Sequence, residues 1–184
     1  PNAGCVPLIV TFSNTSTSAT SYVWDFGDAQ TSTTTSPTHT YNTSGSYSVS
    51  LVVKNSFGCT DTAKSTIVVH PIPDASFTTT GYNGCFPYTS QGFANTLGLT
   101  NYQWFVNGVS VSTNDSLNLG TIESNTVKNI TLITTNVFGC KDTVSVTKTY
   151  TDDNCNNLYK KIKKVALITD KIEGNLGVLI ASNE

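Results

Sequence analysis

The chain has 184 residues, 38% hydrophobic and only 12% charged, with a net charge of −2 at pH 7. That length excludes a large multidomain enzyme and suits two domains of about 75 to 90 residues. All ten cationic side chains are Lys, set against twelve acidic ones, so the basic field that a nucleic-acid partner requires is missing.

Ser, Thr and Asn supply the polarity that charge does not, and Thr, Val, Ile and Tyr favour strands over disorder. In chain order, the first strand signals are Leu8-Ile9-Val10-Thr11-Phe12 and Tyr22-Val23-Trp24-Asp25-Phe26. Then comes Tyr47 to Val53, whose Tyr47, Val49, Leu51 and Val53 share one face, and then Ser65 to Val69. Pro71-Ile72-Pro73 stiffens a short connection. Beyond it, strands are expected at Tyr102 to Val106, Val127 to Ile133 and Val144 to Thr147, with a hairpin turn at Asn107-Gly108. The expected domains are 1–70, a linker at 71–73, a second domain at 74–150 and a tail at 151–184, stacked end to end as a rod. The tail holds Lys160, Lys161, Lys163, Lys164 and Lys171, then two apolar stretches. It reads as a hairpin around Glu173-Gly174-Asn175 or a first helical turn over Tyr159 to Lys164, in a docking segment or a truncated further domain, and its Lys run as a solvated face or a contact for anionic polysaccharide or lipid. Val165 to Ala181 is broken by Asp170, Lys171 and Glu173, so no membrane-spanning segment is expected. Starting at Pro1 without a Met, the chain reads as a piece of a longer protein whose other domains are its first partners.

The halves are copies. Gly4-Cys5-Val6-Pro7 lies over Gly84-Cys85-Phe86-Pro87, each Cys is followed nineteen residues later by a Trp, and Asn55-Ser56-Phe57-Gly58-Cys59-Thr60-Asp61-Thr62 lies over Asn136-Val137-Phe138-Gly139-Cys140-Lys141-Asp142-Thr143. The simplest pairing closes each copy with its own disulfide, Cys5 to Cys59 and Cys85 to Cys140, leaving Cys155 odd. Each bridge would restrict the unfolded chain by about 4 kcal/mol in the entropy model and would imply an oxidising compartment. A link between the copies would refute the two-module reading. Short strands, polar turns and a Trp expected on each bridge argue for two tandem immunoglobulin-like β-sandwiches.

At Tyr22-Val23-Trp24-Asp25-Phe26-Gly27-Asp28, then Ser36-Pro37-Thr38-His39-Thr40-Tyr41, then Gly45-Ser46-Tyr47, the first copy resembles a PKD domain, the immunoglobulin-like module named after the polycystic kidney disease protein. The resemblance implies structural roles for Tyr22, Trp24, Asp25, Phe26, Gly27, Asp28, Pro37, His39, Tyr41, Gly45 and Tyr47, and Trp104 repeats that of Trp24. The family usually has Gly where Ala29 stands. The second copy resembles a diverged PKD or immunoglobulin-like repeat. Paired cysteines and Ser/Thr/Asn richness are similar to repeats of large secreted surface proteins of Bacteroidetes, including gliding-motility adhesins. That resemblance implies the cell surface or release through type IX secretion, with Thr62, Ser116 and Thr143 as O-glycosylation candidates, against ordinary turn residues.

Chemistry is sparse. Asp25 and Asp28 offer two carboxylates to calcium, against a purely structural turn, and calcium wants six to eight oxygens. His39 and His70 have no second ligand spaced for a metal, and no serine sits in a nucleophile elbow. The expected function is a non-catalytic extracellular adhesion or stalk module touching surface glycans or proteins. The alternatives are an accessory domain of a secreted hydrolase, with Tyr82, Phe86 and Tyr88 as sugar-stacking candidates, or a self-assembling filament subunit that donates its apolar tail.

Overall fold

The computed structural model describes residues 2–81 and 85–151, and among them every regular element is a strand. The first copy contributes β1 (Ala3–Cys5), β2 (Leu8–Thr11), β3 (Ser21–Asp25), β4 (Thr31–Ser32), β5 (Thr38–Tyr41), β6 (Gly45–Lys54) and β7 (Thr60–His70). They form a five-stranded sheet ordered β1-β7-β6-β3-β4 and a two-stranded sheet of β2 and β5. β6 buries Val49 and Leu51 and half-buries Tyr47 and Val53, the face its alternation predicts. Between the sheets, Leu8, Val10, Trp24, Phe26, Tyr41, Val49, Leu51, Ile67 and Val69 make one apolar core.

The second copy contributes β8 (Phe77–Thr80), β9 (Tyr88–Ala94), β10 (Asn101–Val106), β11 (Val109–Ser112), β12 (Ser116–Ile122), β13 (Thr126–Thr135) and β14 (Lys141–Tyr150). Its sheets are ordered β11-β10-β13-β14 and β12-β9-β8. Asn107 and Gly108, with φ of 51° and 81°, turn the tight hairpin between β10 and β11. Trp104, Leu117, Leu119, Ile122, Ile130, Leu132 and Tyr150 are buried.

Two compact units result, and they do not coincide with the sequence copies. Unit 1 is Pro1–Ala75 with Thr96–Tyr102 and Ile133–Thr143; unit 2 is Ser76–Asn95, Gln103–Leu132 and Val144–Glu184.

The cysteine pairing departs from expectation. Cys5 is bonded to Cys140, with Cα atoms 5.6 Å apart, inside unit 1. Cys59 is a free, exposed thiol. Cys85 is disulfide-bonded, but Cys140 is already taken. Neither expected bridge, Cys5 to Cys59 or Cys85 to Cys140, exists. The reason lies in β7. Cys5 is paired opposite His70, the last residue of that strand, whereas Cys59 immediately precedes Thr60, its first. Eleven extended residues separate the two ends by about 30 Å, and a disulfide needs Cα atoms within about 7 Å. Cys5–Cys140 links the two copies, which overturns the reading of two self-contained modules each closed by its own bridge; both copies remain all-β.

Candidate functional site

The motif turn after β3 is the most built feature of unit 1. Asp25 Oδ1 accepts from Gly27 N (2.9 Å), and Asp28 Oδ1 accepts from Gln30 N (3.2 Å). His39 Nε2 donates to Asp28 Oδ2 at 2.8 Å, and its ring stacks flat on Phe26 with centroids 4.1 Å apart. Tyr41 stands edge-on to His39 and donates its hydroxyl to Phe26 O (3.0 Å). Burial, with the nearby Asp28, Tyr47 and Asp25 adding to it, pushes the Tyr41 hydroxyl up to about 12 from its usual 10.0.

Gly27 has φ +79°, and a Cβ there would lie 2.8 Å from the Ser48 carbonyl oxygen, so no other residue fits without displacing β6. Ala29 occupies the left-handed region at φ 69°, the conformation that glycine at this position would adopt freely. The turn keeps its shape and takes up the strain at Ala29. Around it, Pro37 is buried with its carbonyl accepting from Phe12 N (2.9 Å). Tyr47 reaches back to Thr43 O (2.8 Å) across Gly45, and Tyr22 donates to Ala19 O (3.1 Å).

Trp24 and Trp104 are both buried, and each donates its indole N–H to a carbonyl ten residues on, Thr34 O at 3.0 Å and Asn114 O at 2.9 Å. Neither has the expected bridge within its own copy to pack on. Phe12 lies 5.2 Å from Trp24, and Phe77 lies 5.1 Å from Trp104.

The remaining candidates are scattered. Thr62 and Thr143 are exposed at the starts of β7 and β14, each with its N–H capped by the preceding Asp, and Ser116 is half-buried at the start of β12. Phe86 and Tyr88 are half-buried and stack on each other at 5.4 Å; Tyr82 lies outside the described residues. Cys155 and the tail at 152–184 also lie outside them. Among the described residues no three His, Cys, Asp or Glu side chains gather as a metal site, and Asp25 and Asp28 use oxygens on N–H donors of the turn.

Sequence reasoning missed a second constellation in unit 1. The Asn136 turn lies against the end of β7 and the segment after it. Cys140 bonds Cys5, the Phe138 ring stacks on His70 at 4.0 Å, Asn136 Nδ2 donates to Pro71 O (2.8 Å), and Asp142 Oδ2 accepts from Ala75 N (3.0 Å). The self-alignment marked these residues as repeated but gave no sign of what they touch.

Among proteins of known sequence, residues 2–70 match the family model described as PKD domain. The chain is 57% identical over 49 residues to a microbial collagenase of Vibrio alginolyticus, 27% of this chain and 6% of that protein. It is 49% identical over 59 residues to the pre-pro-metalloprotease PrtV of Vibrio cholerae serotype O1 (strain M66-2), 30% of this chain and 6% of that one. The chain thus spans a small fraction of the length of these relatives. Among solved structures, fibronectin(III)-like modules of Clostridium thermocellum CbhA align over 82% of this chain and 90% of theirs, at 14% identity and a TM-score of 0.37. The motif read at Trp24 to Tyr47 lies inside the stretch, residues 2–70, that is similar to the PKD domain family.

Proposed function

We propose that this chain is a non-catalytic extracellular module of a longer secreted or surface protein, serving as a stalk and adhesion repeat that spaces and presents a binding end to glycans or proteins. The observation that carries this reading is the use made of the motif's reactive groups. Asp25, Asp28 and His39 are spent on holding one turn and one aromatic stack, and none is left facing a cleft with a nucleophile. Domain limits at 70 and 74 belong to the same proposal, as do the gliding-motility and type IX associations, which rest on resemblance alone.

The relatives favour a specific second reading, an accessory module of a secreted peptidase, because they are named as a collagenase and a metalloprotease. Pull-down of the oxidised chain on insoluble collagen and on a panel of insoluble polysaccharides, with and without calcium, separates the two. Saturable binding to collagen alone supports the accessory reading, and binding to a glycan supports adhesion. Calcium dependence lost in Asp25→Asn and Asp28→Asn would return those carboxylates to a metal role. Hydrolysis of any of these polymers by the purified chain would overturn the non-catalytic reading.

A further inference from the structure

The four side chains of the Asn136 turn that meet the end of the first repeat all recur in the β6–β7 turn. Asn55, Phe57, Cys59 and Asp61 stand where Asn136, Phe138, Cys140 and Asp142 stand. The two turns are built alike. Asn55 Oδ1 accepts from Phe57 N and Cys59 N at 3.0 Å, as Asn136 Oδ1 does from Phe138 N and Cys140 N. Asp61 Oδ1 caps Thr62 N at 2.8 Å, and Asp142 Oδ1 caps Thr143 N at 2.8 Å. At the second turn the remaining side-chain groups are used: thiol to Cys5, ring to His70, amide to Pro71 and carboxylate to Ala75. At the first turn Phe57 is 91% exposed, Cys59 is a free exposed thiol, and an open hollow of about 390 Å³ borders it, walled by residues 15–19, Asn55 and Asp61.

We propose that Asn55, Phe57, Cys59 and Asp61 form a covalent docking site for the linker end of another module of this kind, closed by a disulfide from Cys59 to that module's Gly-Cys-x-Pro cysteine. The partner's chemistry is read from the occupied site. It offers a cysteine on a short parallel strand beside a terminal imidazole, followed by a proline carbonyl and a backbone N–H, as Cys5, His70, Pro71 and Ala75 do. The exposed thiol therefore does not stand alone, because a turn with the same Asn, Phe, Cys and Asp in the same chain carries the bond. The site rests on the repeat-array part of the proposed function, and its test is independent of polymer binding.

The bond forms by thiol–disulfide exchange. Cys59 thiolate attacks a small-molecule disulfide such as oxidised glutathione, releasing one glutathione thiolate. The incoming cysteine thiolate then attacks Cys59 sulfur and releases the second, so two protein thiols are oxidised and one glutathione disulfide is reduced to two thiols.

The test lengthens the chain by placing a second copy of residues 1–80 ahead of residue 1, oxidises it in a glutathione buffer, alkylates free thiols and maps disulfides without reduction. Linkage of the original Cys59 to the added copy's Cys5, with the added Cys59 alkylated instead, is the expected result. Alkylation of the original Cys59 while Cys5–Cys140 stays intact would overturn it. The unlengthened chain in the same buffer distinguishes the sources. A monomer with alkylated Cys59 places the partner upstream in one polypeptide, and a dimer joining Cys59 to a Gly-Cys-x-Pro cysteine places it on another, whereas a Cys59 to Cys59 dimer counts against the site. Should the longer chain lose Cys5–Cys140, a synthetic peptide that joins residues 2–9 to residues 66–76 through a Gly/Ser linker, and so carries Cys5, His70, Pro71 and Ala75 together, is activated as a mixed disulfide and exchanged onto the original chain and onto Phe57→Ala. Faster exchange with Phe57 present is expected, and equal rates would overturn the docking.

Discussion

The two copies hold the same tryptophan by the same bond and cover it by different means. At the offset of 80 that aligns Cys5 with Cys85, Phe12 lies over Gly92. In the first copy Phe12 supplies the ring beside Trp24 from the end of β2. In the second, Trp104 packs directly over Gly92, where an added Cβ would lie 3.5 Å from the indole, and the ring beside Trp104 comes from Phe77 on β8, which is paired antiparallel along β9. The first copy sends its initial strand the other way, to pair in parallel with β7. A core of this type specifies the volume over the tryptophan and leaves open which strand fills it.

The largest effects separate the cores. Trp104→Ala and Trp24→Ala each remove a buried indole and should cost about 3–5 kcal/mol, with the larger loss at Trp104, which is 0% exposed against 6% for Trp24. Urea melts followed by circular dichroism read these two losses, and fluorescence of variants that keep one Trp, with Phe at the other position, follows each copy separately for the changes below; a loss under about 1 kcal/mol at either position would break the comparison. Next is Asp28→Ala, with no counterpart in the second copy. It strands Gln30 N and the buried His39 and should cost about 1–3 kcal/mol, seen in the Trp24 melt and not in the Trp104 melt.

Alkali sharpens the same contrast. The raised Tyr41 value means that the folded first copy holds its proton more tightly than the unfolded chain. Stability from this source is therefore complete below about pH 10 and is lost as pH rises through about 12. The Trp24 melt should show this loss, and Tyr41→Phe should abolish it at a cost of about 1 kcal/mol from the bond to Phe26 O. The smallest effect has the opposite sign: Ala29→Gly, relieving a left-handed alanine, should stabilise the first copy by about 1 kcal/mol, and a destabilised variant would show the turn to be unstrained.

Much of this was legible beforehand. The long strands β6, β7, β13 and β14 announce themselves by alternation, and Asn107-Gly108 by its turn chemistry. Strands β1, β4 and β8, two to four residues long, lack the apolar run that marks the equally short β2, and β9 and β12, seven residues each, mix their apolar residues with Ser, Thr, Asn, Gln and Gly. The disulfide was misassigned for a different reason. Copying suggests that a repeated cysteine pair closes within each copy, but the copy does not say at which end of an eleven-residue strand each cysteine sits. The register of β1 against β7 decides that, and register is a tertiary property. The motif marks Asp25, Asp28 and His39 together without saying which atoms they touch, and the contacts of Phe138 and Asn136 depend on where the chain returns more than sixty residues later.

The Cys5–Cys140 bond encloses a span of 135 residues. In the entropy model a loop of that length lowers the unfolded chain's freedom by about 5 kcal/mol. Its consequence under mechanical tension is more direct. A pull transmitted along the polypeptide from before Cys5 to beyond Cys140 passes through two sulfur atoms and bypasses the strands between them. Those strands can melt without the tether lengthening, and about 450 Å of contour length stays hidden until the bond is reduced. Thiol chemistry, more than strand unfolding, then sets how far such a module can be stretched.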